Sequence, residues 1–135
     1  GMASAATLAL ARMQEDAERG AALRHQLETG LLTRCPGLTV NGGEAPRLWN
    51  TLNVSFPASD AESLLMSLDL EGICASSGSA CMVGATQLSH VLEAMLVPPA
   101  RAANAVRFSL GRTITSEDID ATIGKVGIVW DRLRA

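Results

Sequence analysis

Tyrosine is absent from this chain of 135 residues, lysine occurs once, and the aromatic side chains number four in all, two Trp and two Phe. So few rings argue against an aromatic cage for a cationic ligand and against a stacking platform for single-stranded nucleic acid. A basic footprint is also missing: 11 Lys and Arg stand against 14 Asp and Glu, for a net charge of −3, so no nucleic-acid partner is expected. No apolar run approaches the ~18 residues that span a bilayer, and Gly1-Met2-Ala3-Ser4 lacks the basic start and apolar core of a secretory signal. No membrane association is expected. Three cysteines, Cys35, Cys74 and Cys81, are an odd number without metal-finger spacing, which favours reduced thiols in the cytoplasm and no bound metal. Gly1 ahead of Met2 reads as a residue left by a tag.

What is present is the composition of a globular domain, 47% apolar and 19% charged, long enough for one modest core over residues 1–135. Residues 3–34 read as an N-terminal helix or helix pair. Leu8, Met13, Ala17, Ala21, Leu23 and Leu27 fall near a 3.6-residue period, and Gly20 marks a possible kink. Residues 35–135 read as an α+β body. Leu38-Thr39-Val40, Thr51–Phe56, Ile73-Cys74-Ala75 and Ala105–Leu110 are expected strands. Ser59 and Glu62 are spaced as a capping box opening a helix that Gly72 ends, and a short helix runs from Leu88 to Met95 before Pro98-Pro99. Thr115 and Asp118 stand in N-cap and N3 relation at the head of a last helix, with Ile119, Ile123, Val126 and Trp130 on one face. The fold class expected is α+β, a small, mainly antiparallel sheet with helices packed on it.

One stretch carries possible chemistry. Gly72-Ile73-Cys74-Ala75 leads into Ser76-Ser77-Gly78-Ser79-Ala80-Cys81, five small residues and then a thiol. Small residues suit a backbone that bends, and a pliable loop is a sensible carrier for a nucleophile that must reach. A strand followed by a loop with an inert cysteine is the competing reading. Two further segments accompany it in order, Arg47-Leu48-Trp49-Asn50-Thr51-Leu52-Asn53-Val54-Ser55-Phe56 and Val106-Arg107-Phe108-Ser109-Leu110-Gly111-Arg112 followed by Thr115 and Glu117 to Asp120. Together these resemble the RLPNTLNVSF, SSGSAC and RFSLGR-xTxEEID segments of NifS/IscS-type cysteine desulfurases, class V aminotransferases of the fold-type I pyridoxal-phosphate group. Trp49 replaces the proline of the first segment. Met82-Val83, Gln87-Leu88 and Leu96 also depart from the pattern, Leu96 standing where glycine is usual.

The resemblance implies that this chain matches the small C-terminal domain of such an enzyme. Cys81 would then be the nucleophile that takes sulfur from L-cysteine as a persulfide, on a loop supported by Ser77, Gly78 and Ser79, and Arg107 would grip the substrate carboxylate. Arg112 would be a surface or interdomain residue. Pyridoxal phosphate would belong to a large cofactor-binding domain absent from this sequence, whose only lysine, Lys125, reads as a solvated helix residue. Activity alone is then not expected, and the chain would be a truncated gene product or an excised piece. A sulfur-acceptor or iron–sulfur scaffold protein, a separate large-domain chain and self-association, as in a dimer, are the implied partners. The alternatives are a stand-alone persulfide carrier and an interaction or dimerisation module. Among the other titratable groups, His90 invites a dyad with Cys81 but reads better as a capping or core histidine. His25 reads as solvated, Cys74 as buried and inert, and Cys35 as a turn thiol open to oxidation.

Overall fold

Alanine, leucine, glutamate and arginine crowd the first quarter of the chain, and these are strong helix formers. They build one continuous helix, α1 (Met2–Arg34). The computed structural model describes residues 1–57, 59–77 and 88–134. It shows no break at Gly20, so of the two alternatives, helix or helix pair, the single helix is the one found. The glycine serves packing instead. A Cβ built on it would lie 2.5 Å from Cζ3 of Trp49 and nearer still to Cε3, so the indole is seated on bare helix backbone. Burial along α1 begins there and continues through Leu23, Leu27 and Leu31 at i, i+4 spacing. Leu8 and Met13, expected on the buried face, are 57% and 60% exposed, as the whole stretch before Asp16 is exposed.

The sheet has three antiparallel strands in the order β1 (Thr39–Val40), β2 (Thr51–Ser55), β3 (Ala105–Ser109). In the register, Leu52 opposes Phe108 and Val54 opposes Val106, so one face is apolar. The other face carries Thr51, Asn53 and Ser55 opposite Ser109, Arg107 and Ala105. Period-two alternation of side chains makes this division, and it is the division the sequence shows. The apolar face is covered by α1, α2 (Ala61–Leu70) and α5 (Ser116–Arg134), whose Leu64, Leu68, Ile119, Val126, Val129 and Trp130 join one core. Each such fully buried side chain contributes roughly 1.5–3 kcal/mol relative to exposure. Phe56 meets Trp130 edge-on at 5.6 Å between centroids. Close approach of α1 to α5 relies on two more glycines. A Cβ on Gly30 would press into Ile123, and one on Gly127 would lie 2.6 Å from Cγ of Arg34.

The helix ends follow local chemistry. Asp60, not Ser59, caps α2, its carboxylate accepting from the Ser63 N–H at 2.8 Å, while Ser59 donates to the Phe56 carbonyl. An aspartate directly before the first helical residue outcompetes a serine one position earlier. Gly72, with φ +78°, closes α2: its N–H reaches Asp69 O and the Ile73 N–H reaches Leu68 O, both at 2.9 Å, the paired bonds of a Schellman ending. The same ending recurs after α3 (His90–Ala94), with Leu96 N–H on Glu93 O and Val97 N–H on Leu92 O, but here the left-handed position, φ +57°, is held by Leu96. That conformation explains why glycine suits this position. Leu92 and Val97 pack with Ala102 of α4 (Pro99–Ala102) and with Ala105 in a second small cluster. At α5, Thr115 and Asp118 cap reciprocally, as the spacing predicts: the Thr115 N–H donates to Asp118 and the Asp118 N–H to Thr115 Oγ1. Ile73-Cys74-Ala75 is not a strand. Only Ser76 meets the sheet, in an isolated bridge to Arg107, so the expected fourth strand contracts to one residue.

Candidate functional site: an arginine strand beside the start of the cysteine loop

Arg107 sits at the centre of β3 with backbone neighbours on both sides. Towards the outer edge it exchanges two hydrogen bonds with Ser76, Arg107 N–H to Ser76 O at 2.6 Å and Ser76 N–H to Arg107 O at 3.1 Å. On the inner side it opposes Asn53 of β2. Since the peptide groups of Arg107 point to Ser76, and the Asn53 carbonyl points to the Asn41 N–H at 2.9 Å, Arg107 and Asn53 form a non-hydrogen-bonded pair. In such pairs the Cα atoms approach to about 4.5 Å and the side chains on the shared face are closest. Arg107 is partly exposed on that face. The apolar positions on either side, Val106 and Phe108, are buried on the other face and hold the strand in register.

Ser76 is the first residue of the Ser76–Cys81 motif, so the bridge fixes where that motif starts: directly beside Arg107. Ser77 follows and is exposed. Gly78, Ser79 and Cys81 lie outside the described residues, as do the departures Met82-Val83 and Gln87. Leu88, the other half of the Gln87-Leu88 departure, is exposed ahead of α3.

The remaining thiols and histidines are placed differently from expectation. Cys74, expected buried, is exposed and lines a cleft of about 460 Å³ with Ile73, Phe108, Thr122 and Lys125. The apolar triplet around it does not join the ladder, so its side chains are not sandwiched. Cys35, expected to be accessible in a turn, has no exposed surface. It is drawn under the end of α1 by its N–H bond to Leu31 O, and burial pushes its thiol pKa up. His90 is exposed at the first position of α3, where Ser89 is the N-cap, so it is neither a capping nor a core histidine. His25 is exposed, as expected.

The Arg47–Phe56 segment divides in two. Its second half is β2; its first half latches the preceding loop to α1. Arg47 pairs with Glu28 at 2.5 Å, Arg24 donates to Leu48 O at 2.7 Å, and Trp49 occupies the Gly20 seat. Arg112 likewise ties its loop to α1, pairing with Asp16 at 2.8 Å, while Arg19 donates to Ile114 O and Arg112 O.

Sequence reading missed a polar network on the Arg107 face. Asn41, 4% exposed, donates from Nδ2 to Asn53 Oδ1 at 2.7 Å and to Ser55 Oγ at 2.8 Å, and Ser55 Oγ donates to the Arg101 carbonyl at 2.8 Å. The available signal was the alternation itself, which sets Asn53 and Ser55 on the same face as Arg107.

Pyridoxal phosphate is held in its enzymes by a lysine and by a phosphate cradle at a helix N-terminus. Lys125 is exposed on α5 with Nζ donating to Glu71 O at 2.6 Å, and none of the five helices among the described residues opens on a glycine-rich turn. Among the described residues no cluster of His, Cys, Asp or Glu could hold a metal ion. No described helix is long and apolar enough to cross a membrane.

Comparison with known proteins accounts for the three motifs. The aminotransferase class-V family model matches residues 1–122. Cysteine desulfurase 2 of Trichormus variabilis is 45% identical over 121 residues, 90% of this chain and 30% of that enzyme. Cysteine desulfurase NifS of Azotobacter vinelandii is 42% identical over 99% of this chain and 33% of its own length. The crystal structure of a NifS-like protein from Rickettsia africae superimposes with a TM-score of 0.78 at 31% identity, covering 92% of this chain and 31% of that one. The complete enzymes of this family depend on pyridoxal phosphate. The chain therefore belongs to the aminotransferase class-V family, and it spans about a third of the length of the cysteine desulfurases it matches.

Proposed function

We propose that this chain is the C-terminal domain of a cysteine desulfurase and supplies two functional groups to it, a sulfur-accepting thiol and a carboxylate-binding guanidinium. The observation that carries the reading is the Ser76–Arg107 bridge, which starts the Ser76–Cys81 loop beside the arginine strand. Cys81 follows Ser76 by five residues, a tether that spans at most about 18 Å when extended. Thiol and guanidinium can thus serve one small substrate, with Ser77, Gly78 and Ser79 as the residues that support the nucleophile.

In this reading Arg107 orients L-cysteine through its carboxylate, which a planar guanidinium matches with two parallel bonds. Cys81 receives the substrate sulfur: its thiol and L-cysteine become a persulfide and L-alanine, and the persulfide passes to a sulfur acceptor such as an iron–sulfur scaffold protein. The cofactor supplies the activation of the substrate's carbon–sulfur bond, and it would be held by a portion outside this chain. Without that portion the chain is inactive. The exposed apolar side chains on the first half of α1, Met2, Leu8, Leu10 and Met13, support a covered surface there, against a large-domain chain or a second copy.

Sulfide and alanine formation tests the reading. The chain with L-cysteine and pyridoxal phosphate should form neither, and addition of the cofactor-binding portion should start both. Turnover by the chain alone would refute the division of labour. Persulfide on Cys81 acquired only from an unrelated active desulfurase would favour the carrier alternative instead.

A further inference from the structure

Asn53 stands opposite Arg107, and the polar network behind it fixes which way its amide faces. The logic starts at the Arg101 carbonyl, which can only accept. Ser55 Oγ, 2.8 Å away, must therefore donate its one hydrogen there. Towards Asn41 that oxygen can then only accept, so Asn41 presents its NH2 group. Reversing the Asn41 amide would set oxygen against oxygen with no hydrogen between them. The second Nδ2 hydrogen of Asn41 goes to Asn53 at 2.7 Å, which makes the atom of Asn53 facing β1 its oxygen. The two amide atoms diverge from Cγ, so with Oδ1 turned to Asn41 the Nδ2 is turned away from it, and the residue opposite Asn53 on β3 is Arg107. Asn53 Nδ2 has no acceptor among the described residues, and it is not among the fully buried unpaired polar atoms. A donor held from behind and open in front is what an anion requires.

We infer that Asn53 is a second carboxylate-binding residue, its Nδ2 donating to the same substrate carboxylate that Arg107 grips, with Asn41 and Ser55 as the positioning residues that keep the amide's oxygen turned away. This rests on the reading of Arg107 as the carboxylate ligand. Two donors from adjacent strands, one charged and one neutral, fix the plane of a carboxylate better than a guanidinium alone. The cross-strand register holds the two residues together.

Three measurements test the inference. In the chain itself, nuclear Overhauser contacts of the Asn53 Nδ2 protons should run to the Arg107 side chain; contacts to Asn41 instead would reverse the amide and overturn the inference. In the enzyme completed by its cofactor-binding portion, Asn53→Ala should raise KM for L-cysteine about tenfold or more, with kcat within twofold, as loss of a hydrogen bond to a charged group made equally in ground and transition states does. Asn53→Asp keeps the oxygen that Asn41 needs but replaces the donor with a carboxylate beside Arg107, so its KM should rise further. A purely structural Asn53 predicts a near-normal KM for Asn53→Asp, and that result would sink the inference. Arg107→Lys separates the two levels. If it raises KM while both Asn53 variants do not, only the Asn53 role falls; if it too leaves KM unchanged, the carboxylate reading of Arg107 falls with it.

Discussion

Gly20→Ala should change sign with the residue at position 49. In an unobstructed helix interior, alanine for glycine stabilises by about 1 kcal/mol through helix propensity. Here the new methyl would lie 2.5 Å from one indole carbon of Trp49 and nearer to another, whereas carbon atoms in contact sit at about 3.5–4.0 Å. The ring must give by roughly 1 Å or more, and overpacking of that kind costs about 1–3 kcal/mol. Trp49 is not free to drift, because the residues before it are fastened to α1 by the Arg24–Leu48 and Arg47–Glu28 contacts. The net expectation is destabilisation by about 1 kcal/mol in the presence of Trp49 and stabilisation by about 1 kcal/mol in a Trp49→Ala background. Urea unfolding of the four proteins in a double-mutant cycle measures the difference, a coupling of about 2 kcal/mol. If Gly20→Ala stabilises both backgrounds alike, the indole does not rest on that glycine and the account of the latch is wrong.

Other expectations follow from single features. Leu96→Gly relieves a left-handed leucine that is 89% exposed, so little burial is lost, and equilibrium unfolding should show a gain of about 0.5–1 kcal/mol; a loss would contradict the strain. Thiol labelling of the native chain should modify Cys74 and spare Cys35 until denaturant is added, a difference read by peptide mass. Asp60, Asp118 and Asp131 are held below the ordinary carboxylate range, the first two by backbone N–H donors and the third by the Arg34 guanidinium. Depressed native pKa values stabilise above the unfolded value of about 3.9 and lose that contribution as pH falls through the native ones. The thermal midpoint should therefore be level at neutral pH and fall below about pH 4, and Asp118→Asn should flatten this acid limb while lowering the midpoint at pH 7. An unchanged limb would remove Asp118 from the account.

What could be read from the sequence was what neighbours in the chain decide. Thr115 and Asp118 announce a helix start because both partners lie within one turn, and the alternation of Leu52, Asn53, Val54 and Ser55 announces a half-buried strand. What could not be read depends on partners far away. Gly20 looks like a weak point in a helix until Trp49, 29 positions later, is seen to occupy it. Cys35 looks like a turn residue, yet the folded core closes over it. Ile73–Ala75 has strand composition, but a strand exists only where a neighbour supplies the ladder, and β3 meets this segment at Ser76 alone. The strand position of Arg107 was legible from the alternation of Ala105–Leu110, whereas the amide network opposite it needs the register of β2 on β3 and the return of Asn41 from the end of β1.

The mass of the peptide bearing Cys81 tests the central claim most directly, measured after the completed enzyme has met L-cysteine with the sulfur acceptor withheld. The account predicts a gain of one sulfur atom on Cys81, removed by a thiol reductant and absent when this chain is treated alone. Alanine formed while Cys81 stays unmodified, or a Cys81→Ser variant that delivers sulfur undiminished, would contradict it.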